Sequence, residues 1–166
     1  MPLVEVVPGE KTAPWVVEAT AALMEAIGKK PVVLQREAPG FIGNRLQFAL
    51  LREAFYLVEQ GIATPEAVDA AVKYSLGRRL GTTGPLESAD FGGLDTFLNI
   101  SAYLTAELSR ATEPSPLLRQ AVEQGRLGVK TGKGLYDWTP EELARVKNNR
   151  ESNLIEWLQK DKTTKF

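Results

Sequence analysis

The pattern of apolar positions changes character twice in the first third of the chain. Leu3-Val4-Glu5-Val6-Val7 is a short β-branched run that stops at Pro8-Gly9, a turn dipeptide. From Trp15 the apolar residues fall three or four apart, through Val16, Ala19, Leu23 and Ile27, which is the period of a helix face. Thr12 is placed to cap that helix, Pro14 lies in its first turn, and Gly28 stands just past its end. Pro31-Val32-Val33-Leu34-Gln35 reads as a second short strand. The three elements predict one βαβ unit with parallel strands. Two strands make a poor sheet by themselves. Either another segment completes it or it is a remnant of a larger sheet.

After Ala38-Pro39-Gly40 the pattern is helical almost throughout. Residues 41–59 carry Phe41, Ile42, Leu46, Phe48, Leu50, Leu51, Phe55, Leu57 and Val58 on most sides of a helix that stops at Gly61. An all-round apolar helix is expected to be buried by others. Thr64-Pro65-Glu66 opens the next helix, with Thr64 as N-cap, continuing to Gly77. Residues 77–84 read as a Gly/Arg/Thr loop. Pro85 starts a short helix broken at Gly92-Gly93, and a longer one is expected over about 94–111. Pro114-Ser115-Pro116 is a stop, and Pro116 opens a further helix to Gln124. Thr139-Pro140-Glu141-Glu142 is a full capping box for a last helix reaching Leu158. Its middle is polar, and the tail from Lys160 to Phe166 is expected to fray.

Composition narrows the chemistry. The chain has 166 residues, 43% hydrophobic and 25% charged, the profile of an ordinary globular protein. A net charge of −1 leaves no electrostatic footprint for nucleic acid. No window approaches a membrane span, and the N-terminus has no basic segment of a signal peptide. A cytoplasmic location is the expectation. There is no cysteine and no histidine. That removes disulfides, thiolate chemistry, the usual near-neutral proton shuttle and a self-contained Ser-His-Asp triad.

Four features could still carry chemistry. Gly128-Val129-Lys130-Thr131-Gly132-Lys133-Gly134 fails both the P-loop and the GxGxxG patterns. It reads either as a tight turn needing positive φ or as an anion contact through Lys130 and Lys133. Glu87 and Asp90, with Asp95 near the next helix start, read as cap and dipole partners or as a weak hard-cation site. Glu5 is a lone carboxylate in an apolar strand, either facing water at an edge or orienting a general base. Asn44 follows Pro39-Gly40-Phe41-Ile42-Gly43 into the long helix, where its amide offers a cap or a donor and acceptor near a positive helix end.

Taken in order, four segments resemble the 3-hydroxyacyl-CoA dehydrogenases, including the bacterial 3-hydroxybutyryl-CoA enzymes. They are Pro2 to Gly9, Ala38 to Leu46, Gly84 to Asp90 with Gly93-Leu94-Asp95, and Gly128 to Tyr136. The Leu3 to Gly9 wording and the Arg78 to Gly84 loop also resemble the λ-crystallin and L-carnitine dehydrogenase branches. The resemblance implies a mainly α fold. Residues 1–37 would be the last βαβ of an NAD-binding Rossmann domain. Residues 38–138 would be a helical domain of the 6-phosphogluconate dehydrogenase C-terminal-like type, with residues 139–166 a final helix and tail. In such enzymes the GxGxxG fingerprint and the catalytic histidine lie in the Rossmann part, and the helical part forms the dimer interface. Glu5 matches the acid that pairs with the histidine, and Asn44 the amide near the reacting oxygen. The resemblance therefore implies the substrate-side portion of an NAD-dependent oxidoreductase acting on a 3-hydroxyacyl-CoA or a similar 3-hydroxy acid. It is expected to be inactive alone, to bind no NAD or metal by itself, and to work as a homodimer or with a separate NAD-binding chain. The alternative is a non-catalytic helical module that dimerises or binds acyl-CoA. The β-hydroxyacid and 6-phosphogluconate dehydrogenases fit less well, because Gly40-x-x-Gly43 is followed by Asn44-Arg45 with no lysine in that turn.

Overall fold

The computed structural model describes residues 1–163. The expected fraying of the last three positions lies outside the described residues. Strands β1 (Leu3–Val6) and β2 (Lys30–Val33) pair in parallel, with Glu5 opposite Val32. Helix α1 (Pro14–Ala26) crosses between them, and Gly28 follows at φ +78°. Thr12 is not the cap. Pro14 pushes the residue before it into extended geometry, so Ala13 (φ −69°, ψ 144°) takes the N-cap position. The Thr12 hydroxyl instead accepts the Gly9 N–H at 3.0 Å and closes the turn after β1.

The chain divides into two compact units, residues 1–47 with those from 137 onward, and residues 48–136. In the first, the final helix is capped reciprocally as expected. Thr139 N–H donates to Glu142 and Glu142 N–H to the Thr139 hydroxyl, both at 3.2 Å. This helix runs past Leu158 to Thr163, so Lys160 to Thr163 are helical rather than frayed. Its polar middle is held by one-turn contacts: Lys147–Glu151 at 3.9 Å and the Asn153 amide donating to the Asn149 carbonyl at 2.8 Å.

Helix α2 (Gly43–Glu59) begins two residues later than the apolar run suggests. Gly40 and Phe41 both have positive φ, +78° and +48°, and make a turn that no helix can include. Then follow α3 (Pro65–Tyr74), α4 (Leu76–Leu80), α5 (Pro85–Gly92), α6 (Leu94–Leu104) and α7 (Pro116–Glu123). Thr64 caps α3 by accepting the Ala67 N–H at 3.3 Å. The expected continuation of α3 to Gly77 breaks at Ser75, and part of the expected loop is the separate turn of helix α4. Gly77 makes the reversal feasible, since a Cβ there would stand 2.8 Å from the Val72 carbonyl oxygen. Helix α6 stops at Leu104 instead of reaching Ala111. The Ser109 N–H turns away to the Glu53 carboxylate at 2.8 Å.

Burial departs most from expectation. Among the described residues the buried apolar ones are Val6, Leu34, Phe55, Val68 and Ala121. Phe55 alone represents α2 among them, although that helix was expected to be enclosed. Helix α6 leaves Leu98 70% and Tyr103 66% exposed. The packed helix pairs are α3 on α4, α4 on α5 and α5 on α6. Apolar side chains elsewhere stay exposed, among them Leu46 and Phe48 on α2.

A clamped carboxylate at the start of helix α2

Glu5 is half-buried on β1, and the turn Pro39-Gly40-Phe41 returns the chain to it. Its Oε1 accepts the Ile42 N–H at 2.6 Å and the Gly43 N–H at 3.1 Å. These are orphan donors of the first turn of α2, which the helix cannot satisfy itself. A carboxylate from a strand 37 residues away does so, and its charge complements the positive helix end. A Cβ at Gly43 would lie in ordinary contact, 3.6 Å from the Glu5 Oε2 and 4.0 Å from Leu3 Cδ2, so the approach does not depend on the missing side chain. The two alternatives for Glu5 thus acquire a third member, a cap supplied from another element. Asn44, the next residue, is exposed and its side chain makes no hydrogen bond among the described residues. It does not cap the helix, so its amide is available as donor and acceptor. Arg45 braces the same turn by donating to the Pro39 carbonyl at 3.2 Å.

Glu5 and Asn44 belong to the first unit and meet at this junction; the other candidates belong to the second. The glycine segment is a closed turn. Gly128 N–H donates to the Lys133 carbonyl at 2.8 Å, Thr131 N–H to the Gly128 carbonyl at 3.1 Å, and Gly134 N–H to the Tyr136 carbonyl at 2.8 Å. Gly128 and Gly132 have φ of +69° and +74°, as the turn reading requires. With those N–H groups committed inward, the turn forms no pyrophosphate cradle. No GxGxxG stands in the chain. Lys130 is exposed on this turn. Glu87 turns back to accept the Gly84 N–H at 3.3 Å, capping its own helix, and Asp95 lies in the first turn of α6. Among the described residues no group of three or more Asp and Glu converges.

Three further acids do structural work that sequence reasoning missed. Glu53 accepts the backbone N–H of buried Ser109. Glu59 accepts the Ser115 hydroxyl and, at 3.4 Å, the Leu117 N–H at the start of α7. Asp69 accepts the Tyr136 hydroxyl at 3.2 Å. Burial, followed by the negative charge of Asp69, pushes the Tyr136 phenol up to about 12. The available signal was two carboxylates on the apolar helix α2, which need partners if the helix is packed.

A family model described as the C-terminal domain of 3-hydroxyacyl-CoA dehydrogenase matches residues 40–138. The chain belongs to the 3-hydroxyacyl-CoA dehydrogenase family. The model of that family's NAD-binding domain matches residues 1–38, and the family is one of NAD-dependent oxidoreductases. The chain is 37% identical over 155 residues to 5-formyl-3-hydroxy-2-methylpyridine 4-carboxylate 5-dehydrogenase of Mesorhizobium japonicum, covering 93% of this chain and 50% of the relative. It is 41% identical over 139 residues to a probable 3-hydroxybutyryl-CoA dehydrogenase of Bacillus subtilis, covering 83% and 47%. A crystal structure of a 5-formyl-3-hydroxy-2-methylpyridine 4-carboxylic acid 5-dehydrogenase, described as an NAD+-dependent dismutase, superposes with a TM-score of 0.92 at 35% identity. It covers 99% of this chain and 53% of that one. The chain spans about half the length of the curated relatives it matches. No helix among the described residues is long and apolar enough to cross a membrane.

Proposed function

We propose that this chain of the 3-hydroxyacyl-CoA dehydrogenase family is the substrate-side, dimer-forming portion of an NAD-dependent dehydrogenase. Its substrate is a 3-hydroxyacyl-CoA or a similar hydroxy acid. The observation that carries the reading is the Glu5 clamp. With Oε1 held by two backbone N–H groups, the carboxylate is fixed in place and Oε2 stays available as an acceptor. A histidine base needs such a carboxylate to hold its tautomer and to stabilise its protonated form. The Asn44 amide, one residue beyond the clamp, suits a donor to the reacting oxygen. This chain has no histidine. The base and the NAD site are assigned to an NAD-binding module, either on the same polypeptide or on a separate chain. A free carboxylic acid stands beside acyl-CoA as substrate class, because the relative matched over 93% of this chain is named for a pyridine 4-carboxylate.

A second copy is the proposed cover for α6, whose Phe97, Leu98 and Tyr103 stand exposed. Burying such side chains is worth roughly 1.5–3 kcal/mol each. Light scattering tests it: a dimer that Leu98→Glu converts to monomer is expected, and a wild-type monomer at high concentration refutes it.

The catalytic reading is tested by combining the chain with an NAD-binding half that carries GxGxxG and a histidine. Hydroxy-substrate-dependent NADH formation is expected. Glu5→Gln and Asn44→Ala should each lower kcat by roughly 10²-fold. A stably assembled pair with no turnover on hydroxyacyl-CoA or hydroxy-acid substrates overturns it. A purely associative module would keep the dimer and show no response to Glu5→Gln.

A further inference from the structure

We propose that Phe41 is a positioning residue, whose left-handed backbone holds the Glu5 carboxylate in the place a histidine base needs it. All the residues involved lie in the first unit. Among the described residues, positive φ is otherwise confined to glycine, and Phe41 at +48° is the exception. Bulky L-residues rarely adopt this conformation, because Cβ crowds the backbone. Such outliers persist where the surrounding structure imposes them, and they cluster at functional sites. The Phe41 side chain is exposed, so burial of its ring does not account for the conformation.

The surrounding bonds account for it. Ala38 to Phe41 form a reverse turn, closed by the Phe41 N–H on the Ala38 carbonyl at 2.9 Å. Pro39 stands second and Gly40 third, at φ +78°, which is the residue order of a type II turn. Phe41 is then left-handed and Ile42 is not. A change of hand between neighbours points successive N–H groups into one concavity, a backbone nest for an anion. In an extended segment the same groups would point to alternate sides. Here the Ile42 and Gly43 N–H groups converge on a single oxygen, Glu5 Oε1, at 2.6 and 3.1 Å. The anion in the nest is thus a side chain of β1. Arg45 fastens the turn from behind through the Pro39 carbonyl at 3.2 Å. With Oε1 fixed by two donors from one curved segment, the direction of Oε2 depends on the hand of Phe41.

This role rests on the reading of Glu5 as the acid that orients a histidine base, but the clamp is scored on the full chain without turnover. A failed clamp is therefore distinguishable from a failed dehydrogenase assay. Variants at position 41 are ranked by tolerance of positive φ rather than by size. Gly and Asn adopt it readily, and β-branched Val does not. The first readout is amide hydrogen exchange at Ile42 and Gly43. Glu5→Ala and Phe41→Val should each speed exchange about tenfold, the worth of a hydrogen bond to a charged group. The double variant should go little further, since both changes remove one contact. Phe41→Gly and Phe41→Asn should exchange like the wild type. In the pair assembled with an NAD-binding half, Phe41→Val should lower kcat by roughly 10²-fold at nearly unchanged KM. Phe41→Gly and Phe41→Asn should keep kcat, whereas a residue that only stabilised the fold would move the urea midpoint and leave kcat alone. Unchanged exchange in Phe41→Val, additive effects of Glu5→Ala and Phe41→Val, or a kcat that survives loss of the clamp each overturns the assignment. Loss of protection in Phe41→Gly does so as well, and it decides the matter even if Phe41→Val fails to fold.

Discussion

Replacing Glu5 by alanine removes the one acceptor that serves two N–H groups of the α2 N-terminus, Ile42 at 2.6 Å and Gly43 at 3.1 Å. Loss of a capping side chain costs about 1 kcal/mol, and loss of a negative charge at a helix N-terminus a further 0.3–1 kcal/mol. Ile42 is exposed, so its freed N–H returns to water and the full penalty of a buried orphan does not apply. The sum is about 1–2 kcal/mol. Glu5→Gln keeps an acceptor oxygen and loses the charge, so about 0.5 kcal/mol is expected from the dipole contribution. The chain offers a local probe, since Trp15, Trp138 and Trp157 all lie in the first unit while its four tyrosines lie in the second. Urea unfolding followed by tryptophan emission should show a lower midpoint at unchanged slope. The tyrosine signal should move less. High salt should shrink the difference between Glu and Gln by screening the charge. An alanine variant within about 0.5 kcal/mol of wild type, the range of an ordinary surface change, would falsify the capping account.

Gly134→Ala forces a Cβ to 2.7 Å from the Gly128 Cα and 3.0 Å from its nitrogen. Overpacking against backbone should cost about 1–3 kcal/mol, read by tyrosine-detected unfolding. Glu53→Ala leaves the N–H of buried Ser109 without its acceptor, at a cost of about 1–3 kcal/mol, and Glu53→Gln should recover part of it in the same assay. Tyr136 should ionise near 12, above the ordinary tyrosine value of about 10, in an ultraviolet titration. Its folded pKa is raised, so its contribution to stability is complete below about 10, the ordinary tyrosine value, and is lost as pH rises toward 12. Asp69→Asn should bring that transition down, and a Tyr136 transition that does not move in this variant would count against the Asp69 contact.

Local signals were legible wherever neighbouring residues settle the matter. The separate strands and helix of the βαβ unit, the Thr64 and Thr139 caps, the starts at Pro85 and Pro116, and the positive-φ glycines of the 128–134 turn all follow from side chains within four positions. The segments around Glu5 and Asn44, with those at 84–95 and 128–136 in order along the chain, pointed to the family that residues 40–138 match. The sequence did not show what holds Glu5, because its partners are backbone N–H groups 37 and 38 residues away, and backbone donors leave no trace in residue type. The end of α6 was misjudged for the same reason. Helical propensity continues past Leu104, but the Ser109 N–H finds Glu53 from a helix 56 residues earlier. Periodicity could say that α2 and α6 are apolar, yet not which faces this chain covers. Tertiary structure decided that, through packing between elements, which a one-dimensional pattern does not encode.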